Sequence, residues 1–377
     1  MTLPAYPAAR SVAARVQTHF IRHVAAARDG GRTDLAPVPD AVAIEALIDA
    51  AFWASLRREE GVATTVSLAY LSPADAGFAL KFETDLPLQP AAIARLAPAV
   101  ERPGIHLGVW RTGPELRVWG TTRQLPAYCF VIEVVMSGLL VVKQRSEPFG
   151  KFVNVAVLEG DQVKIIDERG ASVPDCPGML QSLLGFDVAG ARGASVNVLV
   201  LLAASMRRHG NGGTLLVVPA ASAAWRESIV SPLLYAVDPP FPELADVMHQ
   251  SDEQRTQEWQ EHLLHAVDGI AGLTAVDGAT VINDSYEVLA FGAKIAPRPG
   301  SGTVDRVIVT EPIEGSVTTT AAPAELGGTR HLSAVQFVHD QRDATALVAS
   351  QDGRFTVFKW SPREGMVHAH RVEALLL

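Results

Sequence analysis

Hydrophobic spacing changes texture along the chain. Over residues 11–27, Val12, Val16, Phe20, Ile21 and Val24 fall near one face of a helix. A Gly- and Pro-rich loop follows at 29–39. Asp40 then stands as an N-cap before Ile44, Leu47, Ile48, Ala51, Phe52 and Leu56, which repeat at three-and-four spacing, with Gly61 placed to end the helix. From about 62 to 169 the period shortens. Stretches at 62–71, 77–82, 105–110, 116–119, 129–136, 139–144, 152–158 and 162–166 are β-branched or alternating and separated by turn residues. The first half therefore predicts a helical entry packed on a mostly antiparallel sheet.

Residues 170–195 are rich in Gly, Pro and Ala and read as an inter-domain connection, with a short helix over 178–184. Helix and strand signals then alternate. An apolar helix at 196–208 ends in Arg207-Arg208, and Gly210-Asn211-Gly212-Gly213 breaks the pattern. A continuous apolar strand at 214–218 stops at Pro219. An amphipathic helix at 253–267 carries Trp259, Leu263, Leu264 and Val267. Strands at 275–282 and 287–295 flank Asn283-Asp284, and another strand lies at 304–309. Gly327-Gly328-Thr329 leads into a helix at about 331–339, and a hairpin at 344–350 and 355–360 turns at Gln351-Asp352-Gly353. The expected fold class is α/β (α+β). A mixed central sheet flanked by helices forms the second half, after a mostly antiparallel α+β N-terminal domain. The expected domains are 1–190 and 191–362, with a tail at 363–377.

Composition narrows the function. The 377 residues carry a net charge of −9, with 48% hydrophobic and 19% charged residues, so extensive disorder is excluded and cores are affordable. That charge gives no general attraction to nucleic acid or anionic lipid. Two cysteines, Cys129 and Cys176, exclude a disulfide scaffold. The apolar runs fall short of the roughly 20 residues a membrane helix needs. The expectation is a soluble, cytoplasmic protein without membrane or direct nucleic-acid binding.

Two segments carry chemistry. Asp277-Gly278-Ala279 is a turn running into an apolar strand; Gly permits close backbone approach and Asp offers a carboxylate to a hard cation or a hydroxyl. Gly327-Gly328-Thr329-Arg330-His331 opens a helix, where free backbone N–H groups and the dipole favour an anion. Thr329 adds a hydroxyl, Arg330 a bidentate fork and His331 a ring donor. Each segment alone is ordinary: Asp-Gly is a common turn, recurring at Asp268-Gly269, and Thr329 suits a plain helix start. His19 and His23, four apart, and His368 and His370, two apart, lack a recognisable third metal ligand.

In this order, the two segments resemble the diadenylate cyclase domain, whose hallmarks are a DGA motif after a buried strand and a GTRHR-type motif at a later helix start. Residues 213–218 look like an upstream strand of that family, and 347–350 with 355–357 like its terminal strand pair. The likeness spans roughly residues 195–360. It implies condensation of two ATP into cyclic di-AMP with a divalent metal, Mg²⁺ or Mn²⁺, in a homo-oligomer whose domains face each other. On that basis Asp277, Arg330 and His331 are catalytic and Asp277 binds the metal, while Gly278, Ala279, Gly328, Thr329 and Ser333 hold the nucleotide. The first half resembles the N-terminal regions read as sensors beside such domains (DACNV-like), with residues 52–61 as a candidate signature.

The chain departs from the family at three places. Leu332 replaces the second Arg of the motif, His339 stands where a Glu is common, and Ser350-Gln351-Asp352 replaces Ser-Glu-Glu. Losing one guanidinium from a triphosphate cradle costs about 1.5–3 kcal/mol. Three functions stay open: an active cyclase under a sensor domain, a DAC-fold nucleotide sensor without turnover, and an adaptor that binds no nucleotide.

Overall fold

Asp40 caps its helix as expected: its Oδ1 accepts the Ala43 N–H at 2.7 Å. The computed structural model describes residues 4–145, 152–168, 177–184, 197–251 and 256–377. The chain divides into two compact units, Met1–Ile166 and Asp167–Leu376.

In the first unit, α1 (Pro7–Asp29) and α2 (Ala41–Ser55) precede the strands. The α2 helix stops short of Gly61. Ser55 Oγ donates to the Phe52 carbonyl at 2.6 Å, and the chain enters two-residue strands β1 (Arg58–Glu59) and β2 (Val62–Ala63), with Gly61 in their turn at φ +86°. Next come β3 (Val66–Tyr70), β4 (Leu80–Pro87), α3 (Pro90–Leu96), β5 (His106–Thr112), β6 (Glu115–Thr122), β7 (Phe130–Met136), β8 (Leu139–Arg145), β9 (Phe152–Glu159) and β10 (Gln162–Ile165). The eight-stranded sheet runs β10-β9-β8-β7-β3-β5-β6-β4. Among the described residues its one parallel pair is β3–β5, so the expected antiparallel character holds. Phe20, Ile44, Leu47, Ile48, Leu68, Ile93 and Phe130 are wholly buried in its core, each contributing about 1.5–3 kcal/mol. The α3 helix is too short for periodicity to reveal, but Pro90 suits its first turn and Ile93 anchors it.

The second unit contains α4 (Gly178–Leu183), α5 (Val198–Arg208), β11 (Gly213–Val218), β12 (Tyr235–Phe241), α6 (Glu243–Met248), α7 (Gln257–Leu273), β13 (Ala279–Asn283) and β14 (Val288–Ala293). It continues with β15 (Val307–Thr310), β16 (Thr319–Ala321), α8 (Pro323–Leu326), α9 (Thr329–Asp340), β17 (Thr345–Ala349), β18 (Phe355–Ser361) and β19 (Met366–Arg371). Its nine-stranded sheet runs β12-β14-β13-β11-β17-β18-β19-β15-β16 and is mixed: β11–β13 and β15–β19 are parallel. Every residue of β11 is buried, and α9 packs Val335, Phe337 and Val338 into a core with Leu216, Val348 and Phe358.

The α+β class is as expected, but the boundaries move. The units divide after Ile166, not at 190, because β10 closes the first sheet there. Residues 363–377 are not a tail: β19 pairs with both β18 and β15 inside the second sheet. The α7 helix begins beyond Thr256, whose side chain accepts the Trp259 N–H, and continues through Gly269 and Gly272 to Leu273. Most of the Gly- and Pro-rich connection, Cys176 and residues 253–255 lie outside the described residues. No helix among the described residues is long and apolar enough to cross a membrane.

Candidate functional site

Strand register builds one edge of the second sheet into a pocket. Parallel β11 and β13 set Thr214 opposite Ala279. Antiparallel β14 sets Ala293 opposite Ala279, and antiparallel β17 sets Ala349 opposite Gly213. The starts of β11 and β13 and the ends of β14 and β17 therefore share one edge, and the first turn of α9 reaches it. The resulting pocket is about 480 Å³. Its lining includes Asp277, Gly278, Ala279, Gly328, Thr329, Arg330, His331 and Ser333, together with Thr214, Lys294 and Ser350. Every candidate residue from two segments fifty positions apart thus meets at one cavity.

The glycines have distinct jobs. Gly278 sits at φ +120°, and a Cβ there would lie 2.5 Å from the Gly292 carbonyl carbon, so only glycine lets the hairpin close beside Asp277. Gly212, at φ +67°, leaves room for the Arg330 guanidinium, whose Nη1 would lie 2.5 Å from a Cβ at that position. A Cβ at Gly328 would meet nothing within 4 Å. Gly328 is the N-cap of α9 and supplies no side-chain cap; the His331 N–H turns back to the Gly328 carbonyl at 3.0 Å, and Thr329 and Arg330 of the first turn line the pocket.

The ring of His331 does not serve as the expected phosphate donor. It is 2% exposed, folded beneath Gly327, where a Cβ would come within 2.5 Å of its Nδ1. It packs edge-on to Phe358 at 5.9 Å between ring centroids, and its Nε2 lies 3.4 Å from Thr356 Oγ1. Burial holds its pKa below the ordinary histidine value, which favours the neutral ring. His331 forms the floor of the wall while Arg330 and Thr329 face outward.

Charge in the pocket comes from Asp277, Arg330 and a residue the sequence patterns did not single out, Lys294. Lys294 Nζ donates to Asp277 Oδ2. The pair is open to solvent, with the Asp277 side chain 93% exposed. The Lys294 hydrogen bond and charge, with a smaller contribution from Arg330, hold the Asp277 carboxyl below the usual range. The hairpin is legible in the sequence, but its register is not. Counting outward from the Ile282–Val288 pair would set residue 292 opposite Gly278, but two register shifts carry the hairpin to an Ala279–Ala293 pair and bring Lys294 beside Gly278.

The donor set bears directly on the expected divalent cation. Among the described residues Asp277 is the only carboxylate of the lining, and an ammonium already occupies it. Mg²⁺ is ordinarily held by one or two carboxylates plus substrate phosphates. With a single carboxylate that an ammonium already holds, these residues do not make a resident metal site.

The remaining departures also find places. Leu332 is 42% exposed and outside the lining, whereas Ser350 is in it. Asp352 is engaged with Arg354, with its Oδ1 accepting the Arg354 N–H at 3.3 Å. His339 sits at the far end of α9, beside Asp340. The second Asp-Gly pair is structural: Asp268, within α7, accepts from Ser205 Oγ at 2.5 Å and pairs with Arg208 at 3.4 Å. Cys129 is an inert core thiol, its pKa pushed up to about 12 by burial. Thr310 Oγ1 lies 3.1 Å from His368 Nε2 and 3.0 Å from His370 Nδ1, tying this stacked pair into the sheet.

With this geometry in place, comparison with protein families adds one decisive result in the first unit. Residues 33–123 match the family model of a probable sensor domain, DACNV. The matched segment runs from the loop before α2 through β6 and includes residues 52–61. The match likens residues 33–123 to a sensor domain. Comparison with the curated proteins gave no match.

Proposed function

We propose that the second unit binds ATP in the pocket at the head of α9. When two such pockets face each other in a homo-oligomer, it joins two ATP into cyclic di-AMP, under control of the DACNV sensor segment. The observation that carries this is the convergence of Asp277–Ala279 and Gly328–Ser333 on one cavity holding two cations and one carboxylate. Arg330 offers a two-pronged fork to phosphate oxygens, and Thr329 with the uncapped turn of α9 adds further donors. Gly278 and Ala279 line the same cavity, where the lack of a side chain at Gly278 leaves its backbone open to a nucleotide. In the reaction each 3′-hydroxyl gives its proton to solvent as its oxygen bonds to the α-phosphorus of the opposing nucleotide, the bond from that phosphorus to the β-phosphate oxygen breaks, and two pyrophosphates leave. The pocket contributes by orienting the reactants and offsetting charge on the α-phosphate. Mg²⁺ or Mn²⁺ enters as part of the metal–ATP substrate.

Two observations favour a second function, a nucleotide receptor without turnover: Lys294 occupies Asp277, and no guanidinium stands at Leu332. The purified full chain, incubated with ATP and Mn²⁺ and examined by mass spectrometry of the products, separates the two. The cyclase makes cyclic di-AMP and loses it in Asp277→Asn. The receptor binds ATP and makes none. Absence of any thermal shift with ATP, ADP or cyclic di-AMP would sink both.

A further inference from the structure

Lys294 has no part in the motifs that define the pocket, yet the register of the β13–β14 hairpin fixes it at the lip beside Gly278. We infer that Lys294 is a phosphate-binding cation that trades the Asp277 carboxylate for a phosphate oxygen, so that the pocket holds nucleotide without a divalent cation. This rests on the nucleotide-binding function proposed above.

Three observations converge on it. The ion pair is solvent-exposed on both sides, with Lys294 53% and Asp277 93% exposed, and exposed pairs hold weakly. An ammonium so placed can leave its carboxylate at small cost. A phosphate held by Lys294 and Arg330 together is the stronger partner, because charge-assisted hydrogen bonds to phosphate add over several donors. The lining also has more positive than negative charge even when the pair is closed: Arg330 and Lys294 face the single Asp277. A polyphosphate corrects that imbalance, whereas a divalent cation at Asp277 increases it and must displace Lys294 first. Finally, Leu332 lies outside the lining, so the cation missing from the helix side cannot be recovered there. Lys294 supplies it from the strand side.

The test is calorimetry of ATP binding to the full chain, in excess EDTA and in Mg²⁺. Wild type is expected to bind in EDTA within about threefold of its affinity in Mg²⁺, and Lys294→Gln to lose about tenfold or more in EDTA, the loss of one charge-assisted phosphate contact. Lys294→Arg keeps the charge and is expected to stay within about threefold of wild type. Circular dichroism of each variant checks folding, which an exposed side chain should not disturb. ATP binding in EDTA that is unchanged in Lys294→Gln overturns the inference and leaves nucleotide binding standing. Wild-type binding that EDTA abolishes does the same. No ATP binding in either medium overturns the pocket's function, and this inference with it.

Discussion

The two ends of α9 each border a cavity, and the larger one is the less promising. At its C-terminal end a cavity of about 760 Å³ is lined by Trp225, Arg298, Ser301, His339, Asp340 and Arg342, among others. The side chain of Asp340 there is wholly buried and fully engaged. It accepts the Arg298 N–H at 2.9 Å, the Ser301 hydroxyl and the Gln336 amide at 3.1 Å, and lies 3.0 Å from His339 Nδ1. At the N-terminal end the cavity is smaller, but its charges are exposed and their one ion pair is open to solvent. The difference shows that volume alone does not mark a site. Asp340 holds the 298–301 loop to the helix by hydrogen bonds; among the described residues Asp277 and Lys294 pair only with each other, at a solvent-open rim that Arg330 also lines.

The largest effect that would test this contrast is Asp340→Ala. Removing a buried acceptor leaves several donors unsatisfied and should cost about 3 kcal/mol in urea unfolding, while ATP affinity stays at the wild-type value. A comparable loss of ATP affinity would erase the distinction between the two ends. The same residue has a pH signature. Burial alone would raise its pKa, but the Ser301, Arg298, His339 and Gln336 hydrogen bonds together hold it below the ordinary value. Its stabilising contribution is thus complete above the unfolded carboxylate pKa of about 4 and is lost as pH falls through the lower folded value. Buried His331 and His370, both depressed, weaken the fold from about pH 6.5 downward as the unfolded chain takes up protons. The Asp340 component is therefore the difference between wild type and Asp340→Asn, and that difference should shrink below about pH 4.

Much of this architecture is legible in the sequence where one local rule suffices. Asp40 before an apolar face reads as a cap and is one. The apolar run at 214–218 reads as a buried strand and lies in the interior of its sheet, between β13 and β17. The failures occur where tertiary pairing outvotes local preference. Pro239 and Pro240 argue against a strand, yet β12 forms, because as an edge strand it pairs only with β14 and proline is tolerated there. Residues 363–377 read as a tail, yet β19 is interior to the sheet because β15 returns parallel beside it. In the site, motif residues were visible because they are contiguous. Lys294 was not, since its role depends on a hairpin register that no single segment encodes. The turning of the His331 ring depends on Gly327, a neighbour that reads only as a turn.

A finer probe compares two glycines of the pocket. Gly278→Ala places a side chain at φ +120° against the Gly292 backbone and should cost about 2 kcal/mol, lowering the thermal midpoint and prying the hairpin away from Asp277. Gly328→Ala meets open space at φ −78° and should cost no more than about 1 kcal/mol, the difference between Gly and Ala at an N-cap. Its new methyl nevertheless stands where the uncapped turn of α9 faces the cavity, so ATP affinity should fall even though the fold does not. Equal stability losses in the two variants would mean that the protein, not a ligand, requires Gly328.

The smallest effect belongs to Leu332→Arg, which restores the guanidinium that the family motif would place there. Leu332 is 42% exposed, so stability should move by no more than about 0.5 kcal/mol. Because the side chain points outside the lining, ATP affinity should rise by less than about threefold, the scale of a remote surface charge screened by salt. Titrating ATP into wild type and Leu332→Arg at low and at physiological salt checks this. A rise of tenfold that survives physiological salt would place position 332 in direct contact with phosphate. The phosphate cradle would then extend along the exposed face of α9, and Lys294 would no longer be needed to explain how the pocket balances its charge.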